Sequence, residues 1–335
     1  MSMRDLQGND TQLQGPGLLL QGPGLLLQGP GLLLQGPGLL LQGPGLLLQG
    51  PGLLLQGIDF NGPGLLLQGP GLLLQGPGLL LQGTSFSATL EKDGITYQVS
   101  GLDFIGAEMD LRLRWQDGDV VKTQDVVLRI NNIEQSVEQD DILLYSLSYR
   151  EKDKNQWLPY CGSDGVKAIP MKNSWDVLTG DRIDNDKAVT FACTNAVVAK
   201  CALWGYRPWA TETQCEGKGK KKKCTEVSLT DHHQACTRMA RADFCGDGTP
   251  HTVDGTQIDV WDSLDIQTRF TDWPVEAEWT PEGASCVSFV RHPELGLPSC
   301  FFNNKGKATD PCKKKVDDDS LLMSGFGHED GDNCH

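Results

Sequence analysis

A seven-residue repeat near the start of the chain limits the possible folds more than any other feature. The triplet Leu-Gln-Gly occurs eleven times in the first 83 residues, and Phe60-Asn61-Gly62 is a twelfth, variant copy. Most units also contain Gly-Pro-Gly, which breaks helices and suits turns. A proline in nearly every unit excludes a coiled coil, and a period of seven excludes collagen, which needs glycine at every third position.

One irregular unit indicates that the repeat is extended. The unit that begins at Leu55 is five residues long, two fewer than its neighbours. A strand can lose two residues and keep its facing, whereas a helix would turn by roughly 200°. We therefore expect short Leu-Leu-Leu-Gln strands joined by glycine-rich corners, as a short-repeat β-solenoid or a flat cross-β stack.

The alternation of side chains along such strands predicts an assembly core. The apolar residue of each triplet points inward, and the preceding leucine and the glutamine point outward. The predicted inward residues are Leu13, Leu20, Leu27, Leu34, Leu41, Leu48, Leu55, Phe60, Leu67, Leu74 and Leu81. The outward leucines would form an apolar ladder and the sheet ends lack caps, so the pattern favours end-to-end assembly of copies through residues 6–83. A disordered, low-complexity stalk is the alternative that glycine and proline favour, although the leucine content opposes it.

The distribution of charge bears on partners. The chain has a net charge of −15, of which residues 1–83 carry −2 and the remainder −13. Such an acidic surface excludes a nucleic-acid binder, which needs a basic one. The leucine runs are three residues long, so no segment approaches the roughly 20 apolar residues of a membrane-spanning helix.

The cysteines indicate a disulfide framework and hence an oxidising compartment. All eleven lie after residue 160, and none forms a Cys-x-x-Cys pair. The disulfide candidates are Cys161, Cys193, Cys201, Cys215, Cys224, Cys236, Cys245, Cys286, Cys300 and Cys312. Cys334 is left over, and Cys300 and Cys312 are expected to close one loop. The first ten residues lack the apolar core of a signal peptide, so export would require a leader already removed or outside this sequence.

The remainder of the chain predicts a mainly β, α+β globular region in two parts. Residues 84–150 form an antiparallel β module, which begins with a hairpin around Asp93-Gly94. Residues 151–335 form a cysteine-rich domain with an acidic tail. It contains expected helices over Thr190–Gly205 and over Asp231–Cys245, and short strands over Thr256–Trp261, Val275–Trp279 and Ala284–Val290.

Several motifs in this region resemble functional sites, but a structural role explains each of them better. Asp231-His232-His233 suggests a metal site, yet adjacent histidines on a helix point in different directions. Cys236 or Cys245 near a histidine suggests a thiol nucleophile, but a disulfide is expected here. Gly246-Asp247-Gly248 and Asp254-Gly255 lack the later ligands of a calcium loop. We therefore expect no catalytic residue, no metal site and no cofactor.

The same region resembles a known family. The run Ala242-Asp243-Phe244-Cys245-Gly246-Asp247-Gly248-Thr249-Pro250-His251-Thr252, followed by Asp254-Gly255-Thr256-Gln257-Ile258-Asp259, resembles the signature of bacterial ADYC-domain proteins. Phe244 stands where the family name has tyrosine. The resemblance covers roughly residues 150–312 and implies an exported protein, but it supplies no catalytic residues.

The leading functional hypothesis is a structural protein of the bacterial cell exterior, extracellular or on the cell surface. It would form a homopolymer through its repeat, with the disulfide-rich domain decorating the filament. One alternative is a monomeric adhesive protein with the repeat as a stalk. Its lysine-rich segment, Lys218–Lys223, would be a candidate for binding acidic surface glycans or other cell-surface components. A second alternative is an extracellular hydrolase.

Overall fold

The computed structural model describes most of the chain after residue 79 and short strands before it. The described residues are 80–92, 95–117, 120–137, 139–152, 154–162, 165–176, 179–185, 188–216, 222–301, 312 and 320–327, with the strands of the repeat given next. In this part of the chain the fold is mainly β, with two α-helices and several disulfides, as the sequence predicts.

The described residues among the first 83 form ten short strands. They are β1 (Ser2–Arg4), β2 (Asp10–Gln12), β3 (Leu26–Gln28), β4 (Leu33–Gln35), β5 (Leu40–Gln42), β6 (Leu47–Gln49), β7 (Ile58–Asp59), β8 (Leu67–Gly69), β9 (Leu72–Leu74) and β10 (Leu80–Gln82). β3 pairs in parallel with β5, and β4 with β6, so that identical residues fourteen positions apart face each other. β1 pairs with β2 and β8 with β9, both antiparallel. These four pairs are separate two-stranded sheets, and a continuous solenoid or stack stays a prediction.

The last repeat unit is part of a three-stranded sheet. β10 pairs with β11 (Ser85–Lys92), which pairs with β12 (Ile95–Ser100). Lys92 lies opposite Ile95, which confirms the predicted hairpin. In β10 the side chains alternate: Leu81 is 5% exposed and packs in a hydrophobic core with Phe86, whereas Leu80 is 63% exposed.

A seven-stranded antiparallel sheet follows. It contains β7 and six later strands: β13 (Glu108–Asp117), β14 (Val120–Gln135), β15 (Leu143–Glu151), β16 (Leu158–Pro159), β17 (Ala168–Lys172) and, after the small hairpin of β18 (Ser174–Trp175) and β19 (Arg182–Ile183), β20 (Ala188–Cys193). β15 pairs with β17, so the sheet continues across residue 150. β7, from the shortened unit of the repeat, pairs with β20 and forms one edge of the sheet.

A second core lies between two helices and a four-stranded sheet. The helices are α1 (Val197–Leu203) and α2 (Thr230–Arg241), and the sheet contains β23 (Asp259–Asp262), β24 (Val275–Thr280), β25 (Gly283–Val287) and β26 (Leu322–Gly325). An exposed hairpin of β21 (Thr211–Glu216) and β22 (Lys223–Ser228) connects the two helices and lies outside this core. Short 3₁₀ turns occupy Gly101–Phe104, Pro293–Leu295 and Ser299–Phe301. Neither α-helix has the length and apolarity needed to cross a membrane.

Two helix predictions need correction. The segment expected to be helical from Thr190 is a strand as far as Cys193, and α1 begins only at Val197. Every residue of β20 is buried, and a continuous buried run does not distinguish a strand from a helix by its period. The second helix ends at Arg241 rather than Cys245, because Ala242 adopts a left-handed conformation with φ of 52°.

Ten of the eleven cysteines form five disulfides. The pairs are Cys161–Cys193, Cys201–Cys236, Cys215–Cys224, Cys245–Cys300 and Cys286–Cys312. The expected Cys300–Cys312 loop is therefore wrong, since each of these cysteines joins a partner from another element. Cys334 lies outside the described residues. The five bonds are consistent with an oxidising compartment.

Candidate functional site

The family-like signature begins where α2 ends, and its first residues hold buried charges. Asp243 is fully buried and accepts hydrogen bonds from Arg238 Nη1 at 2.7 Å and from the Gly248 amide at 3.1 Å. Arg238 is also ion-paired to Asp181 and donates to the Pro281 carbonyl at 3.0 Å. Burial raises the pKa of Asp243, and the neighbouring guanidinium groups oppose that shift. The network fixes the loop that follows α2.

The next signature residues pack this loop against the sheet. Phe244 stacks on Trp279 with ring centres 5.2 Å apart, and Cys245 is bonded to Cys300. Gly246 has φ of +66°, and a Cβ there would lie 1.7 Å from the Glu282 carbonyl oxygen. Only glycine fits so close an approach. The Asp-Phe-Cys-Gly run is therefore a structural element that positions the segment 247–258.

A buried ion pair between Arg291 and Glu276 also holds this region in place. Arg291 donates to both carboxylate oxygens of Glu276, at 2.6 and 2.7 Å, and to the Met239 carbonyl at 3.0 Å. Ser324 donates to Glu276 as well. Arg291 and Glu276 are buried, so this bidentate pair ties α2, β24 and β26 to the segment that begins at Arg291.

These elements form an open cleft of about 510 Å³ beside α1. Three aromatic side chains, Trp204, Phe270 and Trp273, line it together with polar groups that include Lys200 and Thr256. Phe270 is 76% exposed, which is unusual for so large an apolar side chain. Pockets of this size that combine apolar walls with a few polar groups are typical of small-molecule sites.

At the cleft, Thr256 contacts the imidazole of His292, which no sequence motif marks. His292 Nε2 lies 2.8 Å from Thr256 Oγ1, and His292 Nδ1 lies 2.8 Å from Glu294 Oε1. Pro293 begins a 3₁₀ turn here, which brings Glu294 back to His292. The turn has a sequence signal in Pro293, but Thr256 is 36 positions away and only the fold brings it to His292.

The histidines suggested as metal ligands lie apart in the core. His233 contacts the Val198 carbonyl through Nε2 at 2.8 Å, and His232 stacks on Tyr206 instead. Asp231 is exposed, and no shared site forms among the described residues. His251 packs on Phe244, and its Nδ1 lies 3.3 Å from the Ala242 carbonyl.

The other suggested motifs have structural partners. Asp247 caps the Thr249 amide at 2.9 Å, as in an ordinary turn. Cys236 and Cys245 are disulfide-bonded. The carboxylate of Glu278 lies near Cys286 and Cys312, but sulfurs joined in a disulfide are not thiolate ligands.

Other predicted features lie wholly or partly outside the described residues. Lys218–Lys221, the acidic run Asp317–Asp319, the tail after Gly327 and the inward residues Leu13, Leu20, Leu55 and Phe60 are all outside them. Lys222 and Lys223 are described and exposed. The inward leucines 27, 34, 41, 48, 67 and 74 lie in described strands, and only Leu81 has a described side-chain environment.

The buried histidines make acid lability a testable property. Burial lowers the pKa of His233 to about 4, from the ordinary value of about 6.5, so the folded protein keeps this side chain neutral near pH 7. The unfolded chain binds the proton first as pH falls, which costs roughly 3 kcal/mol of the free energy of unfolding between about pH 7 and pH 4. We expect His233→Gln, which retains a donor for Val198, to remove that part of the pH dependence. Urea titrations of both proteins at pH 7 and pH 4 measure the free energy of unfolding. An equal loss of stability between the two pH values in wild type and variant would contradict the prediction.

Comparisons with known proteins identify one relationship. The family model of the ADYC domain matches residues 101–293. The match begins within the predicted β module and ends before Cys300, so it includes most of the seven-stranded sheet as well as the signature. No curated protein and no solved structure matches the chain. Since the matched region covers more than half of its length, the chain belongs to the ADYC domain family.

Proposed function

We propose that this protein is a structural component of the bacterial cell exterior that assembles into filaments through its repeat. The observation that supports this most directly is the in-register parallel pairing of β3 with β5 and of β4 with β6. Because the units are nearly identical, the edge of one paired unit presents the same residues as any other unit. A unit of a second molecule can therefore pair with it, and head-to-tail pairing of this kind does not close.

The last repeat unit supports an apolar contact between molecules. Leu81 points into the domain core while Leu80 is exposed. Nine units contain the same three leucines before glutamine. If each follows the alternation of β10, one leucine per unit faces outward, and a row of them is stabilised by burial against another chain.

The remainder of the chain suits the outside of such a filament. It carries −13 of the net charge, which keeps displayed domains soluble and apart, and its five disulfides tolerate an oxidising exterior. Extracellular or cell-surface location is therefore part of the proposal, and surface glycans remain candidate partners of the displayed domain.

Substitution of outward leucines tests the assembly. Lysine in place of Leu26, Leu33, Leu40, Leu47 and Leu54 places like charges in one row, and we expect it to abolish fibres in negative-stain images at micromolar concentration. Valine at the same five positions keeps an apolar, strand-favouring side chain and should leave fibres intact. Wild-type protein that remains as single particles would reject the filament and favour the monomeric stalk.

A further inference from the structure

Thr256, His292 and Glu294 form a continuous hydroxyl–imidazole–carboxylate chain in the ADYC domain. Both ring nitrogens of His292 are engaged, Nδ1 by Glu294 and Nε2 by Thr256, each at 2.8 Å. His292 directly follows the anchored Arg291, and the Phe326 ring packs beside it at 5.9 Å between centres. The orientation of the imidazole is therefore fixed by the anchored neighbour Arg291, by the Phe326 ring on one face, and by contacts at both ring nitrogens.

Two arrangements of the protons fit the distances in this chain. The Thr256 hydroxyl has one proton, which it donates either to the Val253 carbonyl or to His292 Nε2, each 2.8 Å from Oγ1. When the neutral imidazole donates Nδ1–H to Glu294, its Nε2 has a lone pair and no proton. The Thr256 hydroxyl then donates to Nε2, which is the arrangement in which a base activates a hydroxyl nucleophile.

The surroundings of Thr256 leave room for a reacting group. Gly255 has φ of +85°, and no heavy atom lies within 4 Å of where its Cβ would be. Within the described part of the chain, the amides of Gly255 and Gln257 donate to no protein acceptor. Two backbone N–H groups that flank the hydroxyl are donors of the kind that stabilises an oxyanion.

We propose that this cleft hydrolyses carboxylic esters, with Thr256 as nucleophile, His292 as general base and acid, and Glu294 as a positioning residue. Thr256 Oγ attacks the carbonyl carbon while its proton passes to His292 Nε2. The C–O bond to the alcohol then breaks, the alcohol leaves with that proton, and an acyl-threonine remains. Water attacks the acyl group through the same base, which releases the carboxylic acid and restores the threonine hydroxyl.

The cleft walls indicate the class of ester. Trp204, Phe270 and Trp273 offer aromatic surface for an apolar acyl or alcohol group, and Lys200 offers a cation for a negatively charged substituent. The volume of about 510 Å³ fits a small molecule rather than a polymer segment. A short-chain aryl ester matches these walls and provides a chromogenic probe.

Hydrolysis of p-nitrophenyl butyrate by the full chain tests the nucleophile. We expect Thr256→Val to reduce turnover to the buffer background and Thr256→Ser to retain it within about tenfold. His292→Gln should lose at least about 100-fold, the usual contribution of a general base. Thr249→Val is the matched control. Thr249 is exposed and lies in the same loop, so this variant should behave as wild type.

Two further readouts separate catalysis from folding. A fluorophosphonate probe should add its mass to the peptide that contains Thr256 in the wild type and in Thr256→Ser, but not in His292→Gln. The Glu294 side chain is 63% exposed, so its effect on catalysis should be small. Glu294→Gln should lower kcat about tenfold at unchanged KM, and Glu294→Asp should retain part of the kcat that Glu294→Gln loses. Turnover and labelling that are no greater in the wild type than in Thr256→Val would overturn the proposal.

Discussion

Asp243→Ala should destabilise the ADYC domain by about 3 kcal/mol, because it removes the acceptor at the centre of a buried network. The substitution leaves the Gly248 amide buried without its acceptor and removes the buried counter-charge of Arg238. Arg238 keeps Asp181, whose side chain is 57% exposed, so the loss is at the lower end for a broken buried pair.

Chemical denaturation of the full chain, followed by tryptophan fluorescence, measures this loss. All eight tryptophans lie after the repeat, so the signal reports the globular part alone. Asp247→Ala is the matched control, since this exposed carboxylate in the same loop caps a single exposed amide. We expect the control to change the free energy of unfolding by about 1 kcal/mol or less. Equal losses in the two variants would contradict a central role for Asp243.

Local sequence patterns predict the β elements of this chain well. The Asp93-Gly94 turn predicts a hairpin that the structure contains, and the strand expected over Val275–Trp279 is part of β24. Both signals depend on near neighbours. The boundary of α2 is less predictable. It ends at Arg241, where Ala242 adopts a left-handed conformation and Asp243 turns inward to Arg238. Alanine at this position lacks the glycine that usually marks such a helix end.

The candidate site depends almost entirely on such distant contacts. The motifs that attract notice in the sequence, His232-His233 and Cys245, are buried or bonded within the core. Thr256 and His292 have no pattern in common, and they meet because Asp243 holds the loop that precedes Thr256 while Glu276 anchors Arg291, next to His292. The residue types and spacing within one loop can predict a site formed by that loop. A site whose residues come from different loops can be recognised only once the folded structure is known.

Removal of the Cys201–Cys236 disulfide should have the largest effect on stability. This bond joins α1 to α2 in the second core, and both cysteines are fully buried. In the loop-entropy relation, a cross-link between residues 35 positions apart stabilises the folded state by about 4 kcal/mol. Replacement of both cysteines by alanine also leaves a small cavity between the helices, which adds to the loss.

The Cys215–Cys224 disulfide is a control with the opposite expectation. It links β21 to β22, and both cysteines are exposed in a hairpin outside the core. Loss of this bond allows the hairpin to open locally while the helices and the four-stranded sheet stay packed, so the main unfolding transition should hardly move. Paired alanine variants, compared by urea midpoint and slope, therefore separate a bond that holds the core from one that closes a surface loop. A large shift from the hairpin pair alone would mean that β21 and β22 unfold together with the core.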